Sequence, residues 1–381
     1  MSASNAVAFR MWPAPHLQRV SGLHPDALKP GTAIVRPWGE PLLIWAPLGQ
    51  GGTAAVNVCV PLATAASDGT LDESYLMALP RDPGVYQILT ASEVAELRRQ
   101  PGIRPLLQVV KLLNPPPGAS AELAAHCRER LRQEGRLLAG MVGDPSFPVY
   151  LGRADEPLPH LVLSFIAGLS LYDIVGNPGL VSELGFTPAG WRLPWRFIYF
   201  AASKIARAVT RLHLRAQVVH RDLKPENMVV VPLTASGEAF FEVVILDLGV
   251  AKELVRDAED LPDLTAVFGA AGATPRYCAP EQLIGSAVSE ATDTFALGRM
   301  LCEMSQGSQA LPDSVNAGEL LEVARRPLPD CTHPDLHPAV RVWMQDLWRE
   351  MTSFDPVRRP ALAEVLRRLK HCEAMRMRGG R

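Results

Sequence analysis

Apolar positions recur along this chain in two rhythms. From Pro41 to Val60 the run PLLIWAPLGQGGTAAVNVCV reads as strand, Gly-rich turn and strand. Residues 63–105 hold a weaker mixture, with a strand expected near Tyr75–Leu79 and a helical stretch near Ser92–Arg99. Arg104–Leu113 has the length and β-branched content of a buried strand, and His160–Ile166 forms another. Between them, Ala121–Met141 sets Leu123, Leu131, Leu137 and Leu138 at helical spacing. Helical rhythm then takes over. It predicts helices over Pro194–Arg215, with a proline start, and over about Asp293–Met304, Pro338–Met351 and Ala361–Arg368. Short strands are expected at Met228–Val231 and Phe241–Leu246, joined by the polar turn TASGE. A mostly β first part before a mostly α second part predicts an α+β chain with two lobes and a cleft between them.

Composition narrows the function classes. Of 381 residues, 48% are hydrophobic and 20% charged, enough for a sizeable core. The 38 basic and 40 acidic side chains leave a net charge of -2, which gives no electrostatic case for nucleic acid or an anionic membrane as the main partner. Six cysteines are scattered without a C-x-x-C pair, against a disulfide framework or structural zinc and in keeping with a reducing cytosol. The N-terminal MSASNAVAFRMWPAP lacks the basic flank and apolar core of a secretory signal. No run of about 18 apolar residues is available to span a bilayer. The expectation is a soluble cytoplasmic protein. Residues 1–40 are Pro-rich with little periodicity and read as an extension, and no internal repeat is found.

The chemistry is concentrated in His220-Arg221-Asp222-Leu223-Lys224-Pro225-Glu226-Asn227. Phosphoryl transfer needs an acceptor for the substrate hydroxyl proton, a cation near the moving phosphate and a metal ligand, all in one rigid loop. Asp222, Lys224 and Asn227 can supply these in that order. Here the chain resembles the eukaryotic-like, bacterial-type Ser/Thr protein kinase family, whose catalytic loop has this pattern. The resemblance implies a bilobal kinase fold, with an N-lobe over 41–162, a C-lobe over 163–370 and a tail over 371–381. It also implies ATP and Mg2+ as cofactors and a protein substrate with a Ser or Thr acceptor. Asp247-Leu248-Gly249, behind the apolar VVIL, resembles the family's magnesium-binding DFG, with Leu in place of Phe. Asn227 and Asp247 would thus hold the metal. Ala279-Pro280-Glu281 resembles the close of the activation segment, with Glu281 expected to pair with Arg359, and Asp293 resembles the helix Asp that ties down the catalytic-loop backbone.

In the first half, Gly49, Gly51 and Gly52 resemble the phosphate loop, where a Cβ would obstruct backbone close to phosphate oxygens, while Ala54 stands at the usual third Gly. Lys111, the only lysine between Lys29 and Lys204, ends a strand that resembles the family's V-A-I-K. Its expected partner is Glu134, with Glu129 as the fallback, although bare periodicity leaves both more exposed than core. The resemblance places adenine between Val56 and Val109 above and Val229 below, with backbone recognition at Ser164–Ile166. Val56 and Lys111 are 55 residues apart, so residues about 63–105 read as an insertion that would serve a regulatory partner. The longer segment 176–193 is a second departure. A pseudokinase scaffold and a small-molecule kinase are the competing readings. Retention of Lys111, Asp222, Asn227 and Asp247 argues against the first. Lys224 and the A-P-E segment argue against the second. Between Asp247 and Glu281 the hydroxyl side chains are Thr265, Thr274 and Tyr277; Thr265 is the expected phosphate acceptor facing Arg221, with the acidic run Asp257, Glu259, Asp260 and Asp263 as the alternative.

Overall fold

The computed structural model describes residues 33–34, 42–50, 54–61, 108–115, 118–155, 159–235, 238–248, 252–253, 275–311 and 317–379. The expectations for 63–105, for Gly51, Gly52 and Thr265, and for nearly all of 1–40 lie outside these residues. The chain divides into two compact units, with breaks at Gly135/Arg136, Pro148/Val149 and Ala167/Gly168.

The first unit is built on strands β1 (Ala33–Ile34), β2 (Leu42–Gln50), β3 (Ala54–Pro61) and β4 (Gln108–Leu113), helix α1 (Ala121–Gly140) as far as Gly135, and strands β5 (Tyr150–Ala154) and β6 (His160–Ser164). The strands form one antiparallel sheet in the order β1-β2-β3-β4-β6-β5. Side chains alternate along a strand, so Val110 and Leu112 share one buried face of β4 while Lys111 and Leu113 share the other. Leu113 packs with Cys127 and Leu131 of α1 and with Leu161 of β6, which lays α1 across that second face. The helix starts where the Ser120 hydroxyl accepts from the Leu123 N–H at 3.1 Å. Gly135 permits the close approach: a Cβ there would sit 2.8 Å from the Leu161 side chain and 3.3 Å from the Tyr150 ring. Strand β5 was not anticipated. Its register shifts between Tyr150 and Gly152 and Leu151 faces solvent, so it carries no clean alternation to read.

The second unit opens with residues 136–148. It then runs through β7 (Leu169–Ser170), α2 (Leu171–Gly176), a 3-10 turn at Pro178–Leu184, α3 (Trp195–Ala216), β8 (Val218–Val219), β9 (Met228–Ala235), β10 (Glu238–Ile245) and β11 (Lys252–Glu253). Helices α4 (Pro280–Leu283), α5 (Glu290–Gln306), α6 (Ala317–Arg325), α7 (Pro338–Met351) and α8 (Leu362–Gly379) follow. The hairpin β9–β10 extends three to four residues beyond the expected strands, to Ala235 and from Glu238. Helix α3 is the central post, with Phe197, Ile198, Ala201, Ala202, Ile205, Ala206, Val209 and Leu212 buried against α5, α8 and β10. The Asp335 carboxylate accepts its first free N–H, from Trp195, at 2.9 Å. It stops at Gln217, whose left-handed backbone (φ 54°) turns the chain while its side-chain amide donates to the carbonyls of His213 and Leu214.

Helix α8 differs from expectation by running through the segment read as a tail. Leu362, Val365, Leu369 and Cys372 continue one buried stripe, so the core extends past Arg368. No helix among the described residues is long and apolar enough to cross a membrane.

Helices α5 and α7 meet at Gly298, where a Cβ would lie 2.7 Å from Met351 Cβ and 3.0 Å from Thr352 Cγ2. Gly298→Ala therefore gains helix propensity but must push the α7 C-terminus aside. Overpacking of this kind costs about 1–3 kcal/mol, more than the roughly 1 kcal/mol that Ala returns. Denaturant unfolding should show a net loss of stability; an increase would mean that the two helices separate freely.

Candidate active site

The His220–Asn227 segment runs from the end of β8, through a 3-10 turn at Pro225–Asn227, into β9. Its backbone is held from beneath by Asp293, in the first turn of α5 and 0% exposed. The Asp293 carboxylate accepts from the His220 N–H at 2.8 Å, the Arg221 N–H at 2.9 Å and His213 Nε2 at 2.7 Å. Arg221 lies in the left-handed region, with φ 71°, a conformation that a side-chain-bearing residue adopts only when its surroundings impose it. Asp293 supplies one constraint on this residue. Gln282 supplies the other, donating from Nε2 to the Arg221 carbonyl at 2.8 Å. The strained turn is thus clamped at both its N–H and its C=O.

Downstream of that clamp the polar side chains converge. The Asp222 N–H donates to His220 Nδ1 at 3.3 Å, and complete burial of His220 lowers its pKa and keeps the ring a neutral acceptor. Lys224 Nζ lies 2.9 Å from Asp222 Oδ2. Burial works to lower the Lys224 pKa, but attraction to Asp222 and the hydrogen bond to it, aided by Glu226 and Asp247, outweigh burial and raise it. The ammonium therefore stays charged. Asn227 Nδ2 donates to both the Asp222 carbonyl (2.9 Å) and Asp222 Oδ2 (3.0 Å), which fixes the amide flip and leaves Asn227 Oδ1 as the acceptor end of the side chain. The Leu246 N–H bonds the Asn227 carbonyl at 2.9 Å, and Met228 pairs with Ile245 at the base of the β9–β10 hairpin. Asp247 consequently follows directly on the residue tied to Asn227. Two hard oxygen donor groups from these residues suit a divalent cation such as magnesium.

Next to this loop, Glu281 and Arg359 make the expected pair, bidentate at 2.7 and 2.8 Å. Glu281 also accepts from Thr292 Oγ1 at 2.8 Å, and Arg359 donates to the carbonyls of Ala291 and Ser353. A second buried cluster was not anticipated. Glu303 on α5 takes Arg276 Nη1 on one oxygen at 2.5 Å and the Tyr277 hydroxyl on the other. Burial raises the pKa of both Glu303 and Tyr277. Beneath them the buried Arg299, lowered by burial to about 10, donates to the Arg276 carbonyl. These residues share no spacing signal, because α5 and the 275–277 turn meet only through the tertiary fold. Gln282 was missed for the same reason.

In the first unit, Lys111 Nζ lies 2.9 and 2.8 Å from the two oxygens of Glu134. Glu134 is 1% exposed, which corrects the expectation of an exposed side chain, whereas Glu129 is 47% exposed and faces Arg132. The correction has a simple cause. Glu134 lies one turn beyond Leu131, on the stripe that packs over Leu113, and Lys111 projects from the same face of β4. Val56 sits opposite Lys111 in the β3–β4 ladder, Val109 pairs with Val58 and Leu163, and Gly49 pairs with Val56. Ser164 ends β6, and its N–H is taken by the Val149 carbonyl at 2.9 Å. Ile166 and Val229 are partly buried, Val229 in β9.

Residues 160–369 match the protein kinase domain family. The chain is 30% identical to the serine/threonine-protein kinase A of Synechocystis over 57% of its own length and 39% of the relative's. It is 30% identical to pkn3 of Myxococcus xanthus over 57% and 36%, and 29% identical to PknB of Mycolicibacterium smegmatis over 55% and 31%. The chain therefore spans roughly a third of the length of these serine/threonine-protein kinases. The family match covers 210 of the 381 residues and includes the whole Asp293-supported loop, so this chain belongs to the protein kinase domain family.

Proposed function

We propose that the chain is an active serine/threonine protein kinase, transferring the γ-phosphate of magnesium-ATP to a hydroxyl on a protein substrate. The observation that carries this reading is the cluster of Asp222, Lys224 and Asn227 on a backbone clamped by Asp293 and Gln282. Asp222 is the group that accepts the proton of the attacking hydroxyl. Asn227 orients its carboxylate, and Lys224, kept charged, faces the phosphoryl group as negative charge redistributes. Asn227 Oδ1 and Asp247 are the groups that hold magnesium. The metal neutralises charge on the phosphate oxygens when bound. In the first unit Lys111 is the cation for the α- and β-phosphates, and Glu134 holds its ammonium in place. By the family resemblance, Gly49, Gly51 and Gly52 are the candidates for backbone contact with the phosphates, and Val56, Val109 and Val229 for contact with adenine, with backbone recognition at Ser164–Ile166. The names of the relatives support a protein acceptor and Ser/Thr specificity.

Two experiments test these roles. With radiolabelled ATP and a generic protein acceptor, Asp222→Asn should lose about 10²- to 10⁴-fold in transfer rate, the range expected for removing a positioned base. Its magnesium-nucleotide affinity, read by fluorescence titration, should stay within a few-fold of wild type. Asp247→Ala should instead lose the magnesium dependence of nucleotide binding. Wild-type turnover in Asp222→Asn would refute the catalytic-loop assignment.

Lys111→Met removes a cation that an uncharged stem cannot replace, and should lower transfer by about 10²-fold or more. Glu134→Gln, which still accepts one hydrogen bond, should lower it less. Glu129→Gln should leave it unchanged. Equal losses in Glu129→Gln and Glu134→Gln would contradict the pairing.

A further inference from the structure

On the second unit, apart from the residues discussed so far, lies a cavity of about 370 Å³ lined by Gly143, Asp144, Pro145 and Ser146, by Lys204, Arg207, Arg211 and Arg215 of α3, and by Glu242 of β10. The four cations sit at intervals of three, four and four residues, so they occupy one face of the helix. Two of them are committed. Lys204 pairs with Glu242 at 3.0 Å. Arg211 grips the buried Asp144 carboxylate through Nε at 2.5 Å and Nη2 at 2.9 Å, and donates from Nη2 to Ser146 Oγ at 2.8 Å. Both carboxylates of the wall are thereby neutralised.

Two arginines remain in surplus. Arg215 is 3.7 Å from Asp144, which Arg211 already satisfies, and its side chain is more than half exposed. Arg207 is exposed and has no carboxylate partner among the described residues. Eight residues of helix separate them, about 12 Å along the axis, a span that two long side chains can close over one anion. Ser146 adds a further donor. Its oxygen accepts from Arg211, and its hydroxyl proton has no acceptor among the described residues. The wall thus offers two guanidinium forks and a hydroxyl donor around a polar hollow, with net positive charge.

We infer that this cavity docks a phosphate monoester carried on a protein segment, held by Arg207 and Arg215 with Ser146 at its floor. A phosphate has three acceptor oxygens and a charge of about -1.5 to -2, which matches two forks and a hydroxyl better than the single charge of a carboxylate. The Arg211–Asp144 pair is the rigid base, since Nε and Nη2 of the guanidinium are already committed to Asp144 and Ser146.

The test uses the full chain and a fluorescent phosphoserine peptide with glycine and alanine flanks, its unphosphorylated form, a version with Asp in place of phosphoserine, and inorganic phosphate as competitor. The phosphopeptide should bind measurably tighter than either control, and inorganic phosphate should displace it. Arg207→Ala and Arg215→Ala should each weaken binding about tenfold, the loss expected when one charge-assisted contact is removed. Both side chains are exposed, and none of the residues assigned to phosphoryl transfer lines the cavity, so melting temperature and transfer to a generic acceptor should not change. Equal affinity for the phosphorylated and unphosphorylated peptides, or undiminished binding in the double variant, would overturn the proposal. Binding of the Asp peptide as tight as that of the phosphopeptide would overturn the proposal and reassign the cavity to acidic segments.

Discussion

A single buried carboxylate sets the geometry on which the proposed chemistry depends. Asp293 emerges from the first turn of α5 with no exposure to solvent, and its two oxygens receive the backbone of His220 and Arg221 together with the ring of His213. A carboxylate in such a place is costly unless its lone pairs are filled. Here they are filled by the loop that must be rigid. The same bonds that satisfy the charge also hold Arg221 in its left-handed conformation, and so aim Asp222, Lys224 and Asn227 at one another. Without them, the positive φ at Arg221 would relax and the cluster would lose its register.

The same device recurs twice. Glu281 and Arg359 are both buried, and every strong donor of the guanidinium finds an oxygen, either on Glu281 or on the backbone of Ala291, Ser353 and Phe354. That pair adds little stability relative to an apolar packing of the same volume. Removal of one partner is a different matter, stranding a charge at about 3–5 kcal/mol. Its effect is to fix where α4 starts, and with it Gln282, the second clamp on Arg221. In the first unit Lys111 and Glu134 repeat the pattern across the β4–α1 packing, there with the cation left 12% exposed. Each pair ties a helix to a segment distant in sequence, which is how a fold of modest net stability fixes the position of a few side chains.

Much of this was legible in the sequence, and the reasons for what was not are physical. The Asp222, Lys224 and Asn227 loop stood out because phosphoryl-transfer chemistry restricts residue type within one short segment, while Lys111 and Asp247 were singled out only through the family resemblance. Helix α7 keeps the expected bounds, Pro338–Met351, with Val340, Met344, Leu347, Trp348 and Met351 along its buried stripe. Glu134 could be named as a partner, but its burial could not be read, because the side of α1 that faces the sheet is decided by Leu113 and Leu161 and by the close approach at Gly135. Strand β5 carries a bulge and an exposed Leu151, so no alternation announces it. The continuation of α8 was hidden by its charged face, although Leu369 and Cys372 keep the stripe. The Arg276–Glu303–Tyr277 cluster joins positions 26 and 27 residues apart with no period in common, and only the packing of α5 under the 275–277 turn brings them together.

The central claim is that Asp293 acts on phosphoryl transfer through the backbone it holds. The measurement that bears on it most directly is the turnover of Asp293→Asn with magnesium-ATP and a generic protein acceptor, at a temperature where circular dichroism shows the variant folded. An amide offers one acceptor oxygen where the carboxylate offered two, so one of the His220 and Arg221 N–H groups loses its partner and the loop loosens. The account predicts a fall in kcat of at least about tenfold, with nucleotide affinity close to wild type, because Asp293 touches neither nucleotide nor acceptor. A folded Asp293→Asn variant with wild-type kcat would contradict it.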